Sequence, residues 1–377
     1  MQTESNLLTA PAVFAVGTNY QIMAVADENI LFWVEVGDKR FYDHSNGVMR
    51  SGRRAHRAIV PMKLLDEARA YTVCWRTADD RTGAYVKTGE AQRRKYDFTP
   101  VPDHGKINLY QIADAHQKPR LPMQTAKYFG EALHLLVING DTFDFLNDGS
   151  DFDYLYRMLS EITEGRIPVV FTKGNHDNKG KLAENLEDYT PTDCGKSYYT
   201  FRLGRIWGMV LDCGENCADD AAEYGNAVCH HVMREEETDF IRNVIADADR
   251  EYAADGVEYR LILSHCAFTN VRSKPFDIEI ELYREWASLI AENIQPDLML
   301  SGHLHITELS LPGGPLDTLG QSCPVVIGAN PVGWQSGVLT DFIGCGITLD
   351  GSKASVLFTD SALRVTERHD LRLEKRK

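Results

Sequence analysis

The sequence predicts a two-part chain, a strand-rich N-terminal sandwich followed by a layered α/β domain. Three observations carry this expectation. Short β-rich stretches separated by turn residues fill the first hundred positions, and compact apolar runs alternate with helix-like segments after Gly105. The apolar runs also end, repeatedly, in Asp, His or Asn.

Between Pro11 and Pro102 the β-rich stretches are Val13–Val16, Gln21–Ala26, Leu31–Val36, Arg57–Val60, Ala70–Arg76 and Lys95–Phe98. Turn signals such as Gly17-Thr18-Asn19, Asp43–Gly47 and Asp79–Gly83 lie between them. Short strands punctuated in this way predict an all-β sandwich over residues 1–104. Alternation puts Tyr71, Val73 and Trp75 on one face, the candidate core face. The Pro- and Gly-rich segment Phe98–Gly105 is the candidate linker.

In the second part, Ile107–Ile112, Leu135–Ile138, Val169–Thr172, Met209–Leu211, Leu261–Leu263, Leu298–Leu300 and Val325–Ile327 read as buried strands. Thr125–Leu133, Tyr154–Thr163, Glu235–Ala253 and Ile280–Asn293 read as helices between them. The alternation predicts one α/β domain over residues 105–377. Gly344–Leu349, Ala354–Phe358 and Leu363–Glu367 are expected to close its sheet as antiparallel strands. The run Arg234–Glu237 is expected in the first turn of a helix, where negative charge is favourable. Leu311–Pro315 is a hairpin turn rather than a phosphate cradle, because no P-loop lysine follows it. Lys375–Lys377 is expected to be a solvated end.

The 377 residues carry a formal net charge of −15, which argues against nucleic acid as the main partner. A phosphate ester remains compatible with an acidic chain when metal cations make the site locally positive. Residues Met1–Asn6 lack the features of a signal peptide, and no apolar run approaches the roughly 20 residues that span a bilayer. Eight scattered cysteines favour reduced thiols. The expectation is a cytoplasmic protein without a membrane segment.

Five strand ends deliver groups that bind metals. Ile112-Ala113 leads into Asp114-Ala115-His116, and Ile138-Asn139 into Gly140-Asp141-Thr142-Phe143-Asp144. Thr172-Lys173 leads into Gly174-Asn175-His176-Asp177, Leu263-Ser264 into His265, and Leu300-Ser301 into Gly302-His303-Leu304-His305. Ligands of open α/β sheets gather beyond the carboxyl ends of the strands. In an extended segment, His303 and His305 would both face one point. Two divalent cations about 3.5–4 Å apart need a shared oxygen ligand together with imidazole and oxygen donors. A carboxylate such as Asp141 can supply the bridge, and histidines favour zinc, iron and similar ions over calcium.

Taken in order, these blocks resemble the five motifs of the calcineurin-like metallophosphoesterases, over roughly Lys106 to Gly328. The resemblance implies two packed sheets flanked by helices and a dinuclear centre of manganese, iron or zinc. It implies that Asp114, His116 and His305 bind one metal, that Asn175, His265 and His303 bind the other, and that Asp141 bridges them. His176 would contact the phosphoryl group and protonate the leaving group, with Asp177 orienting it. The reaction implied is hydrolysis of a small phosphorylated substrate, as a phosphatase or a phosphodiesterase. The alternatives are a non-catalytic metal-binding scaffold and a nuclease of the same fold.

The placement of a sandwich before the catalytic part, fibronectin-like in kind, is similar to purple acid phosphatases. The metal motifs depart from that family, which has Gly where His116 stands and Tyr where Asp144 stands. An obligatory ferric ion and a purple colour are therefore not expected. Asp144 either hydrogen-bonds a ligand histidine or faces solvent. Tyr224, in the polar insertion around Gly214–Asn226, is a candidate substrate contact together with Asn175, His176 and Asp144. Cys213, Cys217 and Cys229, with His230 and His231, do not match the spacing of a zinc module and are read as scattered thiols near a loop.

Overall fold

The computed structural model describes residues 6–270, 274, 276–328, 330–331, 334–335 and 338–373; Lys375–Lys377 lies outside them. Two sheets stack face to face. The first has nine strands in the order Val365–Arg372, Lys353–Thr359, Gly344–Asp350, Ile107–Ile112, Leu135–Asn139, Val169–Thr172, Ala12–Val16, Asn19–Val25 and Ala55–Pro61. Its centre is parallel, from Ile107–Ile112 through Leu135–Asn139 and Val169–Thr172 to Ala12–Val16. The second has six strands, ordered Tyr199–Leu203, Ile206–Leu211, Tyr259–Ser264, Leu298–Ser301, Val325–Ile327 and Glu308–Ser310.

Burial follows from this layering. One core fills the space between the sheets, joining Leu109, Val137 and Val170 to Phe201, Val210, Leu261 and Leu300. The outer face of the first sheet packs on the helix Asp153–Thr163 through Leu155, Tyr156 and Leu159. The outer face of the second packs on His230–Ala246 and Ile280–Leu289 through Ile241, Tyr283 and Trp286. Strands apolar on both faces are what such a four-layer arrangement requires.

The N-terminal region is strand-rich, as expected, and its strands are shared between two sheets. Lys39–Tyr42, Ile30–Val36, Ala70–Thr77 and Gln92–Asp97 form a separate four-stranded sheet. Ala12–Val16, Asn19–Val25 and Ala55–Pro61 extend the nine-stranded one. The two layers share a core in which Phe32, Val34, Tyr71, Val73 and Trp75 meet Tyr20, Ile22 and Val60. Hydrogen bonds and core packing thus cross the expected division at residue 104. Alternation in sequence reports which face is buried, not which strand lies alongside.

Several boundaries move for local reasons. The segment read as a helix over Thr125–Leu133 is a short α-turn, Leu121–Thr125, followed by a 3-10 stretch broken at Gly130 (φ 49°). The helix expected over 235–253 is His230–Ala246. The residues after it turn so that Tyr252 packs edge-on against Trp207 at 5.6 Å. Arg234 and Glu237 therefore lie beyond the first turn, and both are fully buried. Arg234 donates to Glu279 at 2.7 Å, and Glu237 accepts from the Asp212 amide at 2.7 Å. Leu311–Pro315 lies in the link between Glu308–Ser310 and Val325–Ile327, where Asp317 accepts from the Gly313 and Gly320 amides.

Candidate metal centre

The five motif loops meet at one rim and are laced together by hydrogen bonds. The Asp114 amide donates to Gly140 O (3.1 Å), the His116 amide to Asp141 O (2.9 Å) and the Gly302 amide to His265 O (2.9 Å). The His303 amide donates to the Asp114 carboxylate at 3.1 Å, and the His176 amide to Asp141 Oδ1 at 2.8 Å. Backbone strain concentrates in the same residues. Asp114, His116, Asp141, His303 and His305 all have φ between 45° and 67°. Non-glycine residues seldom adopt this region; each instance costs on the order of 1–3 kcal/mol and persists where the surroundings dictate it.

The side chains fall into two groups that share Asp141. In the first, Asp114, His116, Asp141 and His305 bring their donor atoms together. His305 Nε2 lies 3.3 Å from Asp114 Oδ1 and 3.2 Å from His116 Nε2. In the second, Asp141, His265 and His303 converge, and Asn175 Oδ1 sits 3.0 Å from His303 Nδ1. His303 and His305 therefore do not face one point. The strand ends at Ser301, and the positive φ at both histidines sends their rings to different groups.

Charge and burial oppose each other here. Burial favours the neutral form of Asp141, but the neighbouring His265, His176 and His116 outweigh it and hold the carboxyl well below the usual range. Burial likewise penalises the His265 cation, yet Asp141 and Asp114 raise its pKa to about 10. Burial lowers His176 below the ordinary imidazole value, although Asp141 pulls the other way.

Three features fit a metal centre. His265 Nε2 is buried without a hydrogen-bond partner and points at Asp141 Oδ2, 3.2 Å away, while its Nδ1 is held by Asn139 O at 2.7 Å. Such a fixed imidazole with an unsatisfied inner nitrogen suits a cation. The packing admits no side chain at Gly140, where a Cβ would meet the His265 ring at 2.4 Å, or at Gly174, where it would meet the Asp141 amide nitrogen at 2.1 Å. The donor set mixes imidazole with carboxylate and amide oxygen, as transition ions favour.

The remaining expected residues are placed as follows. Asp144 Oδ1 lies 2.8 Å from His116 Nδ1, and its Oδ2 meets Lys118 at 3.5 Å. His176 stands beside this group, its ring edge-on to His116 at 4.8 Å and its Nδ1 3.3 Å from Asp144 O. Asp177, expected to orient His176, makes no side-chain hydrogen bond to that ring among the described residues and turns instead to backbone amides. Its carboxylate accepts from the Phe143 and Gly174 amides at 3.0 and 2.8 Å, tying the second and third motif loops together. Burial, with the Asp141 charge adding to it, raises that carboxyl to about 7.

Tyr224 and His176 line one cleft of about 550 Å³ with Phe145, Lys179 and Glu223. The ring of Phe145 is half exposed there. Cys213, Cys217, Cys229, His230 and His231 are not brought together; among the described residues, no group of three metal-capable donors includes any of them. Glu215 was not singled out from the sequence. It is buried and accepts from Asn175 Nδ2 at 2.8 Å. Its signal was a Gly-Glu pair shortly after the strand Ile206–Leu211, a strand-end placement like those of the other motifs.

The calcineurin-like phosphoesterase family profile matches residues 107–307, and the chain belongs to that family of metal-dependent phosphoester hydrolases. Among solved structures it is similar to a purple acid phosphatase from yellow lupin (Lupinus luteus) seeds. Identity there is 12%, over 97% of this chain and 74% of that one, with a TM-score of 0.57. It is also similar to PhoD, at 11% identity over 99% of this chain and 90% of that one, with a TM-score of 0.56. At these identities the likeness concerns the fold. No curated protein matches the sequence. Among the described residues, no helix is long and apolar enough to cross a membrane.

Proposed function

We propose that the chain hydrolyses a small phosphate ester at a two-metal centre, with Asp114, His116 and His305 holding one cation and Asn175, His265 and His303 the other. The observation that carries this reading is the shared carboxylate. Asp141 Oδ2 lies 3.2 Å from His265 Nε2 of one group and 3.8 Å from His116 Nε2 of the other. When bound, divalent cations supply Lewis-acid stabilisation of the phosphoryl group and a nucleophile at neutral pH.

The chain's own residues do the rest. Asp141 Oδ1 accepts from the His176 amide, which ties the shared carboxylate to the His176 loop. The imidazole of His176 borders the cleft with Phe145 and Tyr224, where a leaving group has room. Asp144 O at 3.3 Å receives Nδ1–H in the protonated ring, which leaves Nε2–H to give its proton to the departing oxygen. The surrounding lacework of backbone hydrogen bonds keeps these groups in place without substrate. A reducing, cytoplasmic location is part of this reading, supported by six buried free thiols.

The test uses metal-depleted protein reconstituted with Mn²⁺, Fe²⁺ or Zn²⁺ and assayed on an aryl phosphate monoester and a bis-aryl diester. Asp141→Ala and His303→Ala should abolish turnover of both. Folded variants that keep full activity would sink the proposal. Preference for one ester then places the enzyme as a phosphatase or a phosphodiesterase.

A further inference from the structure

Glu215 is a carboxylate taken almost wholly out of water, which is costly unless its oxygens find partners. Both oxygens face the second group of donors. Oε2 accepts from Asn175 Nδ2 at 2.8 Å, and Oε1 lies 3.7 Å from His303 Nε2. The opposite atoms of the same two residues, Asn175 Oδ1 and His303 Nδ1, face each other at 3.0 Å. One carboxylate therefore stands on the Nδ2 side of Asn175 and the Nε2 side of His303, while His303 also belongs to the group with Asp141 and His265.

The two ends of an asparagine amide are nearly identical in shape, and only the oxygen is a metal ligand. Whatever accepts from Nδ2 decides which end faces inward. Glu215 is itself firmly held. Buried Arg234 donates to Glu215 O at 3.1 Å, and the adjacent Asn216 accepts from the Glu279 amide at 2.9 Å and donates to Phe276 O at 2.9 Å.

We infer that Glu215 is a positioning residue for the second metal position: it clamps Asn175 with its amide oxygen inward, and its other oxygen stands 3.7 Å from Nε2 of His303. Outer partners that fix a ligand in this way typically matter to metal affinity almost as much as the ligand itself. The assignment to a second position rests on the two-metal reading; the clamp itself does not. Glu215 also stands with Cys266 and His303 in a group whose donor atoms lie within 4.8 Å of one another. Direct ligation by its carboxylate is thus the rival role.

The test titrates metal-depleted full-length protein with Zn²⁺ by calorimetry, with metal analysis after dialysis. Glu215→Ala should weaken the second equivalent about 10–100-fold and leave the first unchanged. Glu215→Gln keeps an oxygen that accepts from Asn175 and should recover most of that loss. In metal-free protein, NMR should show the Asn175 side-chain amide protons shifted downfield and slowly exchanging, and Glu215→Ala should abolish both signatures. Unchanged affinity in Glu215→Ala overturns the inference. A Gln variant as weak as the Ala variant overturns it in favour of direct ligation, and unaltered amide protons remove the clamp. A wild-type protein that binds one equivalent overturns the two-metal reading instead, and the NMR result then decides the clamp alone.

Discussion

His265 Nε2 and Asp141 Oδ2 stand 3.2 Å apart, both buried, and the imidazole nitrogen has no hydrogen-bond partner. In metal-free protein a proton belongs between them, since burial of the cation is outweighed by Asp141 and the His265 pKa rises to about 10. A cation at that position must displace the proton. Metal affinity should therefore increase with pH through the neutral range. Calorimetry in buffers of different ionisation enthalpy should report at least one proton released per second-position cation. Binding without proton release would refute this pairing.

Asp144 should support the first position through His116. Replacing it with Ala should lower metal retention there about 10–100-fold, with the second position unaffected. Metal analysis after dialysis against a weak chelator distinguishes this from a general loss of metal. An Asp144→Ala protein with wild-type retention would show that the 2.8 Å contact is incidental.

Gly140 has φ +78°, and a Cβ there would lie 2.4 Å from the His265 ring. Gly140→Ala should lose about 1–2 kcal/mol to backbone strain alone, and the displaced ring should add to that. A urea unfolding midpoint equal to wild type would contradict the tight packing around this glycine.

Glu237 lies away from the donor groups. Burial chiefly, and Asp212 next, push its carboxyl well above the ordinary value of 4.5. Its Oε2 is buried without a partner, as suits a protonated acid. With the folded pKa raised, this group's contribution to stability is complete below the unfolded pKa and declines as pH rises toward the folded one. Glu237→Gln keeps an acceptor for the Asp212 amide and removes that decline. The variant should gain in Tm on wild type from mildly acidic to mildly alkaline buffer, and parallel Tm curves would refute the assignment.

The strand ends were readable because each motif follows a short apolar run, and such runs mark buried strands whatever their neighbours. Asp114, Asp141, Asn175, His265 and His303 become candidates in that way. The divergence of His303 and His305 was hidden, because a two-residue spacing implies extended backbone and both have positive φ. Glu215 was hidden by its loop, where a lone acidic residue reads as solvated until Asn175 is brought to it. The sharing of N-terminal strands was equally invisible. Ala12–Val16 is buried on both faces, and an apolar run does not reveal which partner it has.

That strand has a consequence for synthesis. Phe14 pairs in parallel with Val169, so one side of Ala12–Val16 stays open on the ribosome until a far later stretch of chain has emerged. The hairpin with Asn19–Val25 can form at once, but its exposed edge is apolar and would invite wrong partners. A translation pause before Val169, or a chaperone bound to the opening residues, should thus change the yield of folded protein.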